Sequence, residues 1–188
     1  MTTLYFMRHA KTEMNLKGLW SGLTDCDTTE EGLRIFKENF EPYSTIKFDH
    51  FYCSPLKRTM QTLIAVIPKF PDNADITIDR RIIERDLGDW EGEPYNIIDD
   101  ETTELYIQGK VEPPNGENYQ EVQKRVEDFV NQLFTVYDNE NILIVSHATI
   151  VRMVRDVFLP DMKKGPIKNS QLIIVTENDF AEYSRRNE

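Results

Sequence analysis

Five short apolar runs alternate along the chain with longer segments whose apolar residues recur at helical spacing. Runs of this length and composition are typical of strands. They predict strands over residues 3–7, 48–53, 76–79, 142–146 and 172–176. The runs around Leu143 and Leu172 are almost wholly aliphatic, which predicts central strands covered on both faces. Strands that alternate with helices indicate an α/β domain.

Two helices in the first half of the chain begin at recognisable capping residues. Thr29 can cap a helix from residue 30 to about residue 40, which has acidic residues in its first turn. Ser54 followed by Pro55 is typical of an N-cap and the first helical position. This pair predicts a helix to about residue 67, which Pro68 ends.

Two further helices are predicted in the second half. Asn118 opens a segment that resembles a capping box, and the apolar residues after it recur at helical spacing at Val122, Val126, Phe129, Val130 and Leu133. The last clear helix begins near His147 and stops at Pro160. Its apolar face consists of Ile150, Val151, Val154 and Phe158.

The length of 188 residues fits a single domain that spans residues 1–188. Residues 93–116 differ from the rest because they are acidic, contain three prolines and show only weak periodicity. This segment is predicted to form a lid or a short helical excursion and not a second domain.

Composition and charge say little about the fold, but they exclude some classes of binding partner. The apolar fraction of 39% supports a folded globule, and the formal net charge of −11 disfavours nucleic acid and anionic membranes. Cys26 and Cys53 suggest no disulfide framework, and no stretch approaches the roughly 18 apolar residues of a membrane span. The first residues lack a signal core. We therefore expect a cytoplasmic protein with reduced thiols. The sequence does not indicate its oligomeric state.

Basic and imidazole side chains follow three of the predicted strands. Arg8 and His9 follow the first strand, Arg58 comes soon after the second, and His147 follows the fourth. In open α/β sheets, ligands bind beyond the carboxyl ends of the strands. These four side chains are therefore expected to meet at one edge of the sheet. Two guanidiniums and two imidazoles with no nearby acid favour an oxyanion, and phosphate fits best.

A histidine can also form a covalent intermediate. Its ordinary pKa of about 6.5 leaves an unprotonated fraction at neutral pH. One imidazole could take the phosphoryl group while the other, protonated, stabilises it. The leaving alkoxide then needs a proton donor, for which Glu84 is the candidate. Asp86 and Glu91 are alternatives, and a salt-bridge network with neighbouring arginines is a purely structural explanation of Glu84.

Five short motifs occur in order along the chain. They are residues 8–15 with Gly18, Ser21 and Gly22, and then residues 52–62, 84–92, 114–118 and 145–148. Their order and spacing over roughly residues 3 to 176 resemble the histidine phosphatase superfamily, the phosphoglycerate mutase-like proteins. Each motif alone is weak, whereas five in sequence at strand ends are specific.

The resemblance implies a three-layer α/β/α sandwich around a mostly parallel sheet. It implies that His9 is the nucleophile and that Glu84 is first the general acid and then the general base. The other catalytic residues would be Arg8, Arg58 and His147, and the substrate contacts would be Arg8, Asn15, Ser21, Gly22, Arg58 and His147. No metal and no cofactor are implied, and the partner would be a small-molecule phosphate ester.

Some positions depart from the family's pattern. Ala10 and Ala148 stand where glycines are common, Lys11 stands where Glu or Gln is usual, and Leu19 replaces a frequent arginine. These departures bear on substrate preference more than on chemistry. Lys11 or Lys17 is expected to favour a second anionic group on the substrate, while Trp20 and residues 93–116 are expected to shape the outer pocket.

The leading hypothesis is a cofactor-independent phosphomonoesterase that acts on a small soluble metabolite. A phosphoglycerate mutase would use the same phosphohistidine, but similar mutases carry a longer insertion between the Glu motif and the second histidine. A non-catalytic module that binds a phospho-ligand is a further alternative. A metal hydrolase is disfavoured because the histidines lack i, i+4 spacing and an accompanying carboxylate cluster.

Overall fold

The computed structural model describes residues 1–67 and 75–187, and within them five strands form one sheet. The strands are β1 (Thr3–Arg8), β2 (His50–Cys53), β3 (Ile76–Ile78), β4 (Asn141–Ser146) and β5 (Leu172–Thr176). Their order is β3-β2-β4-β1-β5. The first four in this order run parallel, whereas β5 pairs antiparallel with β1. The mostly parallel sheet is thus confirmed.

Helices cover both faces of this sheet. The α-helices of the described residues are α1 (Glu13–Lys17), α2 (Glu30–Phe40), α3 (Lys57–Ile64), α4 (Asp100–Ile107), α5 (Tyr119–Val136), α6 (Ala148–Phe158) and α7 (Glu177–Asn187). Helices α2 and α3 pack on one face, α5 and α6 pack on the other, and α7 lies beside α6. The three-layer sandwich is therefore confirmed. None of these helices is both long and apolar enough to cross a membrane.

The two central strands are buried on both sides. Successive strand residues point to opposite faces of a sheet. Leu4 and Phe6 accordingly enter the core under α5 and α6, together with Ile142. Met7 and Leu143 enter the core under α2 and α3. All five are fully buried, so β1 and β4 form a rigid base for the residues at their carboxyl ends.

Two predictions about individual elements are wrong. Strand β5 lies at the edge of the sheet and not at its centre, and its Ile174 is 39% exposed. Helix α3 begins at Lys57 and not directly after Ser54. The Oγ of Ser54 accepts a hydrogen bond from the backbone N–H of Leu56 at 3.3 Å, which closes a turn before the helix. Helix α3 also ends at Ile64, before the predicted end at about residue 67, and Pro68 itself lies outside the described residues.

The N-caps predicted at Thr29 and Asn118 are confirmed. Thr29 accepts a hydrogen bond from the backbone N–H of Gly32, and Asn118 accepts one from that of Gln120. Helix α6 begins directly after His147, as expected. Helices α1 and α7 were not predicted; α7 has few apolar residues to bury, with Phe180 and Tyr183 only partly covered.

Residues 93–116 contain α4 and add a small aromatic cluster. Tyr106 of α4 is buried and packs edge-on against Trp20 and Trp90, with ring centroids 5.6 and 5.3 Å apart. Leu87 is buried in the same cluster. Edge-on aromatic contacts of this kind are favourable beyond the apolar area that they bury. They anchor the segment to the loops that follow β1 and β3.

Gly88 and Gly92 both have a positive φ, but only Gly88 also lacks room for a side chain. Gly88 has a φ of 51°, and a Cβ there would lie 2.1 Å from the carbonyl oxygen of Pro114; Gly92 has a φ of 78° with nothing within 4 Å. We expect Gly92→Ala to lower the free energy of unfolding by about 1 kcal/mol. Gly88→Ala should lower it by about 3 kcal/mol, because the backbone must also move. Urea unfolding measures both, and equal losses would contradict this account.

Candidate active site

The carboxyl ends of β1 and β4 bring the two predicted histidines together. Arg8 pairs with Ser146 in the ladder between these strands, so His9 and His147 emerge at the same edge. Their ring centroids lie 5.3 Å apart. The backbone N–H of His9 donates to the carbonyl oxygen of Ser146 at 2.9 Å, which extends the ladder by one residue.

His9 is held in one tautomer. Its Nδ1 lies 2.7 Å from the carbonyl oxygen of Ala10. Since a carbonyl oxygen only accepts, Nδ1 carries the hydrogen and Nε2 keeps the lone pair. The residue is 3% exposed. Burial lowers the pKa of His9 well below its ordinary value, and the positive charges of Arg58 and Arg8 lower it further. The ring is therefore neutral at pH 7.

His147 is held by the turn before α3. Its Nε2 lies 2.7 Å from the Oγ of Ser54, and its buried Nδ1 has no hydrogen-bond partner among the described residues. Burial lowers the pKa of His147 well below its ordinary value, with further contributions from Arg58 and His9. The sequence suggested one protonated imidazole. Burial and the guanidiniums oppose that charge until a phosphate dianion supplies the opposite one.

The two predicted arginines are anchored to backbone carbonyl groups. Nη1 of Arg8 donates to the carbonyl oxygen of Ile167 at 2.6 Å. Arg58 is fully buried, and its terminal nitrogens donate to the carbonyl oxygens of Thr24 at 2.9 Å and Gly22 at 2.7 Å. In the described part of the chain, the buried Nε of each arginine lacks a partner. A cavity at this edge of the sheet is lined by Arg8 and His9 but not by Arg58 or His147, so Arg8 is the one of these two arginines that keeps an N–H group for an anion there.

Glu84 points its carboxylate toward the same cavity. The residue is 6% exposed and lines the cavity with Arg8 and His9. Its oxygens accept hydrogen bonds from the backbone N–H groups of Arg85 at 2.9 Å and Thr149 at 3.3 Å. These contacts link the segment after β3 to the first turn of α6.

The alternative acids have structural partners. The carboxylate of Asp86 accepts from the backbone N–H of Gly88 at 2.8 Å. The carboxylate of Glu91 accepts from the backbone N–H groups of Gly22 at 3.1 Å and Leu23 at 2.6 Å. Both residues hold loops, and neither lines the cavity, whereas Glu84 does.

The remaining predicted contacts differ in their freedom to bind a ligand. Asn15 and Ser21 line the cavity. The Oδ1 of Asn15 accepts from the backbone N–H of Thr12, which leaves its amide group near the hydroxyl of Tyr95 at 3.4 Å. Gly22 already uses its N–H with Glu91 and its carbonyl with Arg58. Gly22 therefore acts on the site through Arg58.

The cavity has a volume of about 670 Å³ and a mixed wall. Trp20, Tyr95 and Tyr106 give it an aromatic side, and Asp99 and Asp100 give it an acidic rim. Trp20 and the segment 93–116 thus shape the outer pocket, as expected. The two lysines expected there, at positions 11 and 17, are exposed and lie outside the lining.

Arg152 is a lining residue that the sequence did not single out. It lies on α6 and is 8% exposed, and its Nε and Nη2 have no hydrogen-bond partner within residues 1–67 and 75–187. The signal for it is an arginine within an apolar helix, three residues after Thr149 and hence on the same helix face. A buried guanidinium with free donors is unusual and points to a ligand.

The described residues hold no group of three or more His, Cys, Asp and Glu side chains arranged to bind a metal ion. The fold and the site define a class of protein, an α/β sandwich with two imidazoles and two guanidiniums gathered at the carboxyl ends of its parallel strands. The model of the histidine phosphatase superfamily (branch 1) matches residues 4–181, and the chain belongs to this superfamily.

Named relatives agree with this assignment. Adenosylcobalamin/alpha-ribazole phosphatase of Salmonella typhimurium is 32% identical over 159 residues, which cover 80% of this chain and 76% of the relative. Phosphoserine phosphatase 1 of Hydrogenobacter thermophilus is 32% identical over 161 residues, with coverages of 81% and 74%. The 2,3-bisphosphoglycerate-dependent phosphoglycerate mutase of Thermoplasma acidophilum is 29% identical over 182 residues, with coverages of 93% and 87%.

A solved structure supports the fold. Bacillus stearothermophilus YhfR superposes with a TM-score of 0.81 at 24% identity, covering 93% of this chain and 90% of its own. The phosphatases at 32% identity confirm that this chain is a phosphatase as a class of enzyme.

The two buried imidazoles should make stability depend on pH. Folding holds their pKa values well below 6.5, whereas the unfolded chain binds protons at about 6.5. As the pH falls below that value, protons bind preferentially to the unfolded state. The free energy of unfolding should then fall by up to about 1.4 kcal/mol per pH unit for each imidazole. Urea unfolding at about pH 7 and about pH 5.5 measures the slope.

The matched comparison is a variant that carries His9→Gln and His147→Gln. It should show a smaller difference in the free energy of unfolding between the two pH values, since both neutral imidazoles are gone. An unchanged difference would show that other groups cause the slope.

Proposed function

We propose that this enzyme hydrolyses a small phosphate monoester through a phosphohistidine on His9. The observation that carries the proposal is the hydrogen bond of 2.7 Å between His9 Nδ1 and the carbonyl oxygen of Ala10. It leaves the lone pair on Nε2 of a neutral ring that lines the cavity. A neutral imidazole beside fixed guanidiniums is a nucleophile at an anion site.

In the first half-reaction, His9 Nε2 attacks phosphorus and the bond from phosphorus to the ester oxygen breaks. The free N–H groups of Arg8 and Arg58 offset the charge on the phosphoryl oxygens. Glu84, protonated at this stage, gives its proton to the departing oxygen. The products are an alcohol, a phosphohistidine and the Glu84 carboxylate.

In the second half-reaction, a water molecule attacks phosphorus and the bond from phosphorus to Nε2 breaks. The electron pair of that bond returns to the ring of His9. Glu84 takes a proton from the attacking water, which restores its acid form. Inorganic phosphate leaves, and the enzyme is ready for another cycle.

The main alternative is a mutase, which returns the phosphoryl group to the product before water reaches it. A mutase needs a site that excludes water during this step. The stretch between Glu84 and His147 is short and contributes one covering helix, α4, of 8 residues. We therefore favour hydrolysis, and phosphate release compared with isomer formation from phosphoglycerate decides between them.

Replacing the nucleophile tests the proposal directly. His9→Ala should lower kcat for phosphate release from p-nitrophenyl phosphate by at least about a thousandfold, because it removes the group that takes the phosphoryl group. His50→Ala is the matched control, since His50 pairs with Glu140 at the far end of β2. It should keep near-normal activity. Equal activity of the His9 variant and the wild type would reject the phosphohistidine route.

Ligand binding without turnover by the wild type would favour a non-catalytic module.

The position of Arg152 favours a substrate that carries a second anionic group. It replaces Lys11 and Lys17 as the candidate for this contact, because it lines the cavity and keeps free donors. A guanidinium fork suits a carboxylate or a second phosphate. The proposed substrate is thus a phosphate monoester whose leaving part carries an anionic group.

A pair of esters tests this specificity. Arg152→Met should raise KM for 3-phosphoglycerate by about 10- to 100-fold, since a charged hydrogen bond contributes about 1.5–3 kcal/mol. It should change KM for glycerol 3-phosphate, which lacks the carboxylate, by less than about twofold. Equal changes for both esters would instead assign Arg152 to the transferred phosphoryl group.

A further inference from the structure

The backbone of the segment that carries Glu84 is held by hydrogen bonds from side chains of other elements. Residues 80–82 form a single 3-10 turn, and the residues after it belong to no helix or strand until the turn that starts at Gly88. Buried carbonyl groups in such a segment need donors that a ladder would otherwise supply. Ser146 supplies one, because its Oγ donates to the carbonyl oxygen of Ile82 at 2.8 Å.

Arg125 of α5 supplies three more donors. Its Nη1 donates to the carbonyl oxygens of Arg81 at 2.6 Å and Ile83 at 2.8 Å, and its Nη2 donates to that of Glu84 at 3.3 Å. Its Nε and Nη2 also bind the two carboxylate oxygens of Glu117 at 2.8 and 2.9 Å. Every N–H group of this guanidinium therefore has an acceptor.

Glu117 fixes the plane of that guanidinium and also binds the residues that follow Glu84. Its backbone N–H donates to the carbonyl oxygen of Asp86 at 3.0 Å. Its own carbonyl oxygen accepts from Nε of Arg85 at 2.8 Å. The side chains of Arg125 and Glu117 are 16% and 22% exposed, so water screens this bidentate pair less than a surface pair.

We propose that Arg125, held by Glu117, is the positioning residue for Glu84. It fixes the backbone from which the carboxyl group enters the cavity and thereby the distance over which its proton moves. The role rests on the proposed function of Glu84 as general acid. Proton transfer requires heavy atoms about 2.6–3.2 Å apart, so a small shift of this backbone slows it. The motif at residues 114–118 then has a function, since it supplies Glu117.

The test uses two substrates that differ in their need for a proton. The alkoxide that leaves glycerol 3-phosphate must be protonated, whereas p-nitrophenolate leaves readily without a proton. Arg125→Lys keeps the charge but cannot reach all the acceptors of the planar fork. It should lower kcat/KM for glycerol 3-phosphate by about tenfold or more and kcat/KM for p-nitrophenyl phosphate by less than about twofold. The ratio kcat/KM is compared because it covers only the steps up to release of the alcohol, before Glu84 acts as the base for water. Glu84→Gln should show the same pattern with a larger loss.

Two further variants sharpen the outcome. Lys124→Met removes the neighbouring exposed cation of α5 and should change neither rate. Glu117→Gln should act in the same direction as Arg125→Lys, and it provides the test if the lysine variant does not fold. If Glu84→Gln discriminates between the substrates but both positioning variants slow them equally, the positioning role is overturned and the acid role stands. If Glu84→Gln itself lowers kcat/KM equally for both esters, the acid role fails and the positioning role fails with it.

Discussion

The pairing of β1 with β4 is the constraint on which the site depends. Arg8 lies opposite Ser146 in this ladder, and the next residue of each strand is a histidine. Since successive residues face opposite sides of a sheet, a slip of one residue would turn one imidazole away from the other. Fully buried side chains on both faces, such as Phe6 on one and Leu143 on the other, oppose such a slip. The core therefore sets the distance between the two rings.

The electrostatics of the cavity oppose those of the chain as a whole. The formal net charge is −11, yet Arg58 and Arg152 are buried, and within the residues that the structure describes some of their N–H groups have no hydrogen-bond partner. A guanidinium cannot lose its proton in a protein, whereas an imidazole can. The histidines therefore become neutral, and neutrality is the state that a nucleophile needs. In the proposed mechanism, burial of positive charge thus serves both the binding of phosphate and the activation of His9.

Much of the fold could be read from local patterns. Capping depends on a side chain and a backbone N–H two or three residues away, so Thr29 and Asn118 were informative on their own. Neighbours in a sheet come from distant parts of the chain. The aliphatic composition of β5 indicates burial but does not distinguish an edge strand from a central one. The prediction that α3 begins directly after Ser54 failed for a related reason. The hydroxyl group of Ser54 closes a turn and contacts His147, which follows another strand.

The sequence by itself determined the family and the class of enzyme, and the order of its motifs singled out the imidazoles, the arginines and Glu84 as the candidates for the chemistry. Only the tertiary structure decided the state and the access of each group. It gave His9 its tautomer and its low pKa, turned Gly22 toward Arg58, and exposed Arg152 to the cavity. The physical reason is that residue type limits what a group can do, whereas burial and partners decide what it does. Those surroundings come from residues far apart in the chain and exist only once it has folded.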